Sequence, residues 1–268
     1  MPNRKSLPLH MAPAHPSRRS FIAGAAGLAA TVGLAGCTTA GSLDPNLPGS
    51  KLASDGWRQV ANVEERTQET VDLLGRPQRI TLEARGEAYE NNRPAQELAR
   101  RYDVEADDST IPAMGFIAAK ARMKPPITRI LSLSDRVMTH AVDLAEERAL
   151  RALNDRGFED VHRVETDTLD ILAGPTGDHR TYRASYSYET FEVRFRGRPV
   201  TVQAGTFDVE AQLGVWPYRG LLTTGAGLYP AEPGDLMLRS GGFTKEFSLQ
   251  LEPDRYREQV RRLITMIS

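Results

Sequence analysis

The sequence contains almost no cysteine: Cys37 is the single one among 268 residues. One cysteine excludes a disulfide within the chain, so the stability of the fold must come from packing alone. Lysine is also scarce, with five residues beside 29 arginines, and residues 38–268 hold 30 basic and 35 acidic side chains, a net charge of −5. This mildly acidic balance argues against a nucleic-acid partner, because such partners require a basic surface.

The apolar run at residues 21–35 is too short to cross a membrane. As a helix it would be about 22 Å long, whereas the hydrocarbon core of a bilayer is about 30 Å thick. The glycines within this run lower its helix propensity and its hydrophobicity. These properties are typical of a cleaved export signal and not of a permanent transmembrane anchor.

Two short patterns flank this run. Residues 17–22 read Ser-Arg-Arg-Ser-Phe-Ile. In this stretch Arg18, Arg19 and Phe21 match the pattern of the twin-arginine translocation signal, which the segment resembles. Residues 34–37, Leu-Ala-Gly-Cys, resemble a lipobox, whose cysteine becomes the first residue of the mature protein and carries lipid. The resemblance implies a signal peptide over residues 1–37 and export of an already folded domain.

Cys37 is accordingly predicted to be a lipidation site. A lone cysteine can also act as a nucleophile, but its position at the end of a signal favours lipid attachment. Stable anchoring requires two acyl chains, which a diacylglyceryl modification would supply. We therefore expect the protein on the outer face of the cytoplasmic membrane, anchored by lipid on Cys37.

The remaining chain is long enough for one domain with a sizeable core. Residues 38–54 are rich in Gly, Ser, Pro and Thr and predict a flexible tether, with the folded domain at residues 55–268. Alternating apolar residues predict strands, a 3.6-residue periodicity predicts a helix at residues 134–156, and Pro253 begins a C-terminal helix. The predicted strands lie at residues 60–74, 80–89, 115–121, 161–172, 180–195, 200–204, 207–215 and 243–251.

This order of elements predicts an α+β fold with a mostly antiparallel sheet, built from hairpins and packed by the two helices on one face. Two stretches are expected to be irregular. Residues 91–108 predict a surface loop with a helical turn, and residues 214–242, which are dense in Gly and Pro, predict a long loop.

Together the signal, the lipobox and these elements resemble an uncharacterised family of lipoproteins of halophilic archaea. The resemblance covers the Cys37 lipobox, the opening at residues 55–57, the helix at 141–158 with the strand after it, and residues 191–209. It implies no known activity and no catalytic residues. The element order is also similar to α+β domains of the PsbP type, which act without catalysis.

The sequence contains no motif of an enzyme or of a cofactor site. It lacks the nucleophile elbow, the phosphate-binding loop, the dinucleotide fingerprint and the spacing of a zinc site. His140 and His179 are predicted to be solvated, and His162 points away from the acidic residues near it. We therefore predict no metal, no cofactor and no catalytic residues, and favour a protein that is not an enzyme.

Two groups of residues are candidates for an interaction surface. Arg183, Arg194, Arg196 and Arg198 could form a cationic face for anionic lipid head groups or an acidic partner, although pairing with acidic residues on neighbouring strands is an alternative. Residues 216–218 could form an exposed aromatic patch through Trp216 and Tyr218, or cap the core.

The sequence thus predicts a lipid-anchored protein outside the cytoplasm that binds a partner protein or stabilises an assembly of the cell envelope. The alternative is a lipoprotein that binds a small molecule, in a pocket beside residues 214–242. In that case Tyr182, Tyr186 and Trp216 would line the pocket, whereas a filled core there would favour the first prediction.

Overall fold

The computed structural model describes residues 42–73, 76–105, 114–124, 131–172, 174–218, 220–240 and 242–268. The predicted signal residues Arg18, Arg19 and Phe21 and the predicted lipidation site Cys37 lie outside these ranges. In this part of the chain, no helix has both the length and the apolar character of a membrane span.

The described residues form four helices and twelve strands. The helices are α1 (Gly49–Ser54), α2 (Arg93–Tyr102), α3 (Leu131–Asn154) and α4 (Pro253–Thr265). The strands are β1 (Trp57–Leu73), β2 (Arg76–Asn91), β3 (Val104–Glu105), β4 (Met114–Lys124), β5 (Phe158–Leu169), β6 (Gly177–Tyr188), β7 (Phe191–Phe195), β8 (Arg198–Val202), β9 (Gly205–Tyr218), β10 (Leu221–Pro230), β11 (Gly234–Ser240) and β12 (Phe243–Leu249).

Seven strands make the main sheet, in the order β1-β2-β4-β10-β9-β6-β5. Every neighbouring pair is antiparallel. The predicted α+β fold with a mostly antiparallel sheet, a mid-chain helix and a C-terminal helix is confirmed. We call the end of the sheet where β6 and β10 begin the lower end, and the end where they finish the upper end.

Helix α3 covers one face of the main sheet. Val142, Ala145, Ala149 and Leu153 are buried in one apolar core with alternate residues of the central strands. Their spacing of three and four residues places them on one side of the helix. Glu147 and Arg151 form an exposed ion pair at 2.5 Å on the helix. Such a pair stabilises a helix by only about 0.3–0.5 kcal/mol, so burial of the apolar side holds α3 in place.

Helix α4 covers the opposite face. Tyr256, Val260, Leu263 and Ile264 are buried in a second core, which also contains residues of β4, β9 and β10. The expectation that both helices pack on one face is therefore wrong. Alternation along a strand shows that one face is buried, but a central strand can be buried on both faces when its small and polar residues also meet a helix.

The glycines of β9 and β10 explain how α4 packs so closely. A Cβ atom added at Gly214 or Gly227 would lie 2.6 or 2.3 Å from a side-chain atom of α4, and one added at Gly225 would lie 2.7 Å from Ile267, just after the helix. Residues 214–242 are therefore not the predicted long loop, because they contain the end of β9, all of β10 and all of β11. Their glycines leave room for the helix, a role that composition alone does not distinguish from that of turn residues.

A second sheet of five strands, in the order β12-β11-β8-β7-β3, continues from the upper end of the main sheet. Strands β7 and β8 connect the end of β6 to the start of β9, and β11 and β12 connect the end of β10 to α4. Val193, Val200 and Val202 form its small core. We call these five strands the upper sheet.

The segment before β1 is packed against the domain. Leu52 of α1 is buried in the same core as α4, and Pro45 is also buried. The prediction of a tether over residues 38–54 is therefore wrong for residues 42–54. The segment is mostly polar, but its few apolar residues are enough to pack it against the domain. Residues 91–108 are likewise expected to be a surface loop that contains one helical turn. The structure instead has the ten-residue helix α2 in this segment.

Candidate functional site

A set of interacting polar groups lies between α4 and the main sheet. Glu210 of β9 is only 3% exposed, and Arg257 of α4 donates two hydrogen bonds to its carboxylate, from Nε and Nη2, each 2.8 Å long. Tyr229 of β10 donates a third from its hydroxyl group. A bidentate guanidinium-carboxylate pair is one of the stronger hydrogen-bonded arrangements, so this pair fixes α4 against the strands.

Gln212 extends this set across the sheet. Its amide nitrogen donates to the Tyr229 hydroxyl at 2.7 Å, and its oxygen lies 3.3 Å from Nε2 of His179 on β6. Nδ1 of His179 lies 2.5 Å from a carboxylate oxygen of Asp167, whose other oxygen accepts a hydrogen bond of 3.0 Å from Arg261. We call these seven residues, Asp167, His179, Glu210, Gln212, Tyr229, Arg257 and Arg261, the α4 polar network.

The network shifts the pKa of both carboxylates downward. Burial alone raises the pKa of Glu210, but hydrogen bonds from Arg257 and Tyr229 and the charge of Arg257 outweigh that effect. Burial likewise acts to raise the pKa of Asp167, and the contacts with His179 and Arg261 reverse the direction. Burial and the nearby Glu210 carboxylate raise the pKa of the Tyr229 hydroxyl. Both carboxylates are thus ionised in the folded protein at neutral pH.

The side chains of the network are hydrogen-bonded to one another. His179 is 1% exposed, and both of its ring nitrogens face oxygen atoms within the network. The arrangement therefore joins α4 to β5, β6, β9 and β10. Within the described ranges, no group of three or more His, Cys, Asp and Glu side chains is placed to hold a metal ion.

We expect the stability of the protein to depend on pH through Glu210. Because its pKa is lower in the folded state, its contribution is present above the ordinary value of 4.5 and is lost as pH falls through the lower folded value. Glu210→Gln should therefore flatten the decrease in the free energy of unfolding between about pH 5 and about pH 3. Urea unfolding followed by circular dichroism at several pH values would measure this slope.

Glu252→Gln is the matched control for this experiment, because Glu252 is exposed and lies just before α4. This control should keep the slope of the wild-type protein. Equal slopes for Glu210→Gln and the wild type would show that Glu210 does not contribute to acid unfolding.

The three arginines of the upper sheet lie close together in the chain and are exposed. Arg194 is on β7, Arg196 is in the two-residue turn with φ of 49°, and Arg198 begins β8. The guanidinium of Arg196 lies 5.5 Å from the centre of the Phe195 ring. Among the described residues, none of the three forms an ion pair.

The other predicted surface residues lie elsewhere. Arg183 is on β6 of the main sheet and pairs with Glu232 at 3.1 Å, so it does not share a strand pair with the three arginines. Trp216 is 0% exposed beneath α4, so of the two alternatives for this residue the structure shows the core position and not an exposed patch. Tyr218 is half-buried at the lower end of the sheet. The six predicted surface residues do not form one surface.

The predicted small-molecule pocket also conflicts with this geometry. Tyr182 is buried in the core beneath α3, with its hydroxyl donating to Glu146 at 2.7 Å, whereas Trp216 is buried beneath α4. The two side chains lie on opposite faces of the main sheet, so they cannot line one cavity with Tyr186. The core is filled at both positions.

The α4 polar network is the part of the site that the sequence analysis missed. His179 is predicted to be solvated, and it is buried in β6. Glu210 and Gln212 alternate with apolar residues and therefore have the pattern of a solvent-facing side. One signal points to them: Arg257 and Arg261 are four residues apart on the helix, beside its apolar stripe, and so need acidic partners when the stripe is buried.

A comparison with protein families finds a match to the domain of unknown function DUF6517, over residues 44–268. The match covers most of the chain, which therefore belongs to the DUF6517 family. No curated protein and no solved structure is detectably similar to the chain. The family match begins at Asp44, close to the first described residue, so it includes the packed segment before α1.

Proposed function

We propose that this member of the DUF6517 family is a lipoprotein that is exported in the folded state. Lipid on Cys37 anchors it to the outer face of the cytoplasmic membrane. Its domain binds a protein of the cell envelope and does not act as an enzyme. The sheet that carries this binding surface is assembled from hairpins of consecutive strands.

The observation that carries this proposal is the position of Cys37. It ends a twin-arginine pattern and a lipobox, and four residues separate it from the first described residue of the domain. The single cysteine also fits export after folding, because the domain needs no disulfide outside the cytoplasm.

The upper sheet supports the binding part of the proposal. It presents the exposed cations Arg194, Arg196 and Arg198, and its strand β12 carries Phe243, which is 83% exposed. Exposed cations on the same sheet as an exposed aromatic side chain fit a protein partner with acidic and apolar groups. We call these four residues the upper patch.

The anchoring part of the proposal is tested in the native host with the full chain. The wild-type protein should enter the membrane fraction, and mass spectrometry should show lipid on an N-terminal Cys37. Cys37→Ser should remove the lipid and release most of the protein from the membrane, and Arg18→Lys with Arg19→Lys should retain most of it in the cytoplasm. An unmodified Cys37 in the wild-type protein would refute the anchor.

The binding part is tested by chemical cross-linking of the anchored protein in the same cells. We expect one cross-linked envelope protein to be lost when Arg194, Arg196 and Arg198 are all replaced by Glu. Arg66, Arg151 and Arg262 are exposed elsewhere on the domain, and their replacement by Glu is the matched control, which should keep the complex. Equal cross-linking of the two triple variants would contradict the upper patch.

A further inference from the structure

The chain between Cys37 and the domain is short enough to limit where the membrane lies. Five Cα steps join Cys37 to Ser42, and even a fully extended chain spans at most about 3.6 Å per residue. The Cα atom of Ser42 is therefore within about 18 Å of the Cα atom of Cys37, whatever the conformation of the residues between them.

The described chain begins beside Lys120 of β4, at the level of the lower end of β10 and of the middle of β1 and β2. The carbonyl oxygen of Asp44 accepts a hydrogen bond of 2.8 Å from Nζ of Lys120, which also donates at 2.7 Å to the carbonyl oxygen of Ser268. A carboxylate oxygen of Asp44 lies 3.2 Å from the Arg85 guanidinium. These contacts fix Asp44 next to the residues that follow α4.

Leu172 lies at the same end of the domain. Its amide donates a hydrogen bond of 3.2 Å to the carbonyl oxygen of Thr265, in the last turn of α4. Its side chain is 77% exposed, so it is an apolar side chain that lies almost wholly in solvent. Tyr218 lies nearby, since a Cβ atom at Gly174 would be 3.2 Å from its ring. We call Leu172 and Tyr218 the lower patch.

The upper patch is far from this end. Lys120 pairs with Thr223, Thr223 pairs with Trp216, and Trp216 lies beside Gly177, where β6 begins. Strand β6 then runs 11 residues to Tyr188, about 36 Å at about 3.3 Å per residue. The three arginines follow that point along the chain, on β7, in the turn after it and on β8.

We propose that the lower patch faces the membrane that holds the lipid anchor and that the upper sheet points away from it. This inference rests on the proposed function, because it requires lipid on Cys37. An exposed leucine beside a tyrosine fits the interface between head groups and acyl chains, where an apolar side chain is buried and a hydroxyl group stays hydrated. The arginines of the upper patch then meet a protein and not lipid head groups.

The single cysteine makes this orientation measurable. In the lipidated full-length protein Cys37 carries lipid, so an introduced cysteine is the one free thiol. Leu172→Cys and Thr176→Cys place a fluorescent label at the lower end, whereas Phe243→Cys and Thr244→Cys place it on the upper sheet. All four positions are exposed, so these substitutions leave the core intact.

The labelled proteins are reconstituted into vesicles of phosphatidylcholine and phosphatidylglycerol that contain a lipid with a nitroxide on its head group. We expect labels at residues 172 and 176 to lose most of their fluorescence, and labels at 243 and 244 to lose none beyond the level seen with Cys37→Ser protein. Equal quenching at both ends, or stronger quenching at 243, would overturn the orientation. A free thiol at Cys37, detected by mass spectrometry, would instead refute the anchor itself.

Discussion

Replacement of Arg257 by alanine is expected to lower the free energy of unfolding by about 3 kcal/mol. The guanidinium of Arg257 donates two hydrogen bonds to Glu210, whose carboxylate is almost fully buried. Without Arg257 this carboxylate would keep one hydrogen bond, from Tyr229, and no direct ion pair among the described residues. A buried charge that loses its partner is strongly destabilising, because its desolvation is no longer offset.

Arg255→Ala is the matched control, since Arg255 is on the same helix and forms only exposed ion pairs, with Glu252 and Glu97. Exposed pairs of this kind contribute at most about 1 kcal/mol. Arg257→Lys should fall between the two, because an ammonium group cannot make the bidentate contact. Urea unfolding at neutral pH measures all three variants, and similar values for Arg257→Ala and Arg255→Ala would contradict the role of the pair.

Replacement of Gly227 by alanine is expected to cost about 2–3 kcal/mol, although alanine alone would favour the folded state by reducing the entropy of the unfolded chain. The added Cβ atom would lie 2.3 Å from Cγ1 and 3.0 Å from Cγ2 of Val260. Val260 is fully buried, so it cannot move into solvent. Helix α4 would have to move away from β10, which would also weaken the contacts of the α4 polar network.

The close contact between Gly227 and Val260 makes this prediction specific. Val260→Ala removes the two methyl groups that clash, so the double variant should be more stable than the sum of the two single effects by about 1–2 kcal/mol. Gly242→Ala is the control, because a Cβ atom there meets no atom within 4 Å. Additive effects in the double variant would show that the helix does not depend on the small size of residue 227.

Much of the fold could be predicted because local patterns and tertiary structure agree. The alternation in β2 and the stripe of α4 reflect one apolar side facing a core, and each is visible within about ten residues of sequence. Helix α3 is recognisable for the same reason, since Val142, Ala145, Ala149 and Leu153 recur at helical spacing. The mid-chain and C-terminal helices were therefore placed correctly.

The predictions that failed share one physical cause. Packing between distant parts of the chain decides whether a residue is buried and whether it lies in a strand or a turn. Gly214, Gly225 and Gly227 look like turn residues in the sequence, and they are strand residues that accommodate a helix. Glu210 and Gln212 look solvent-facing, and they are buried by contacts with α4. Local periodicity contains no information about a helix that lies some 50 residues further along the chain.

The position of α4 in the chain has a consequence for how the protein is made. The helix follows every strand that it covers, so during synthesis one face of the main sheet stays bare until residues 253–265 have left the ribosome. Domains fold as units during or after translation, and this one cannot bury that face earlier. This face of the sheet is therefore completed only after all of the strands that the helix covers have been made, which would suit the proposed export of the domain in its folded state.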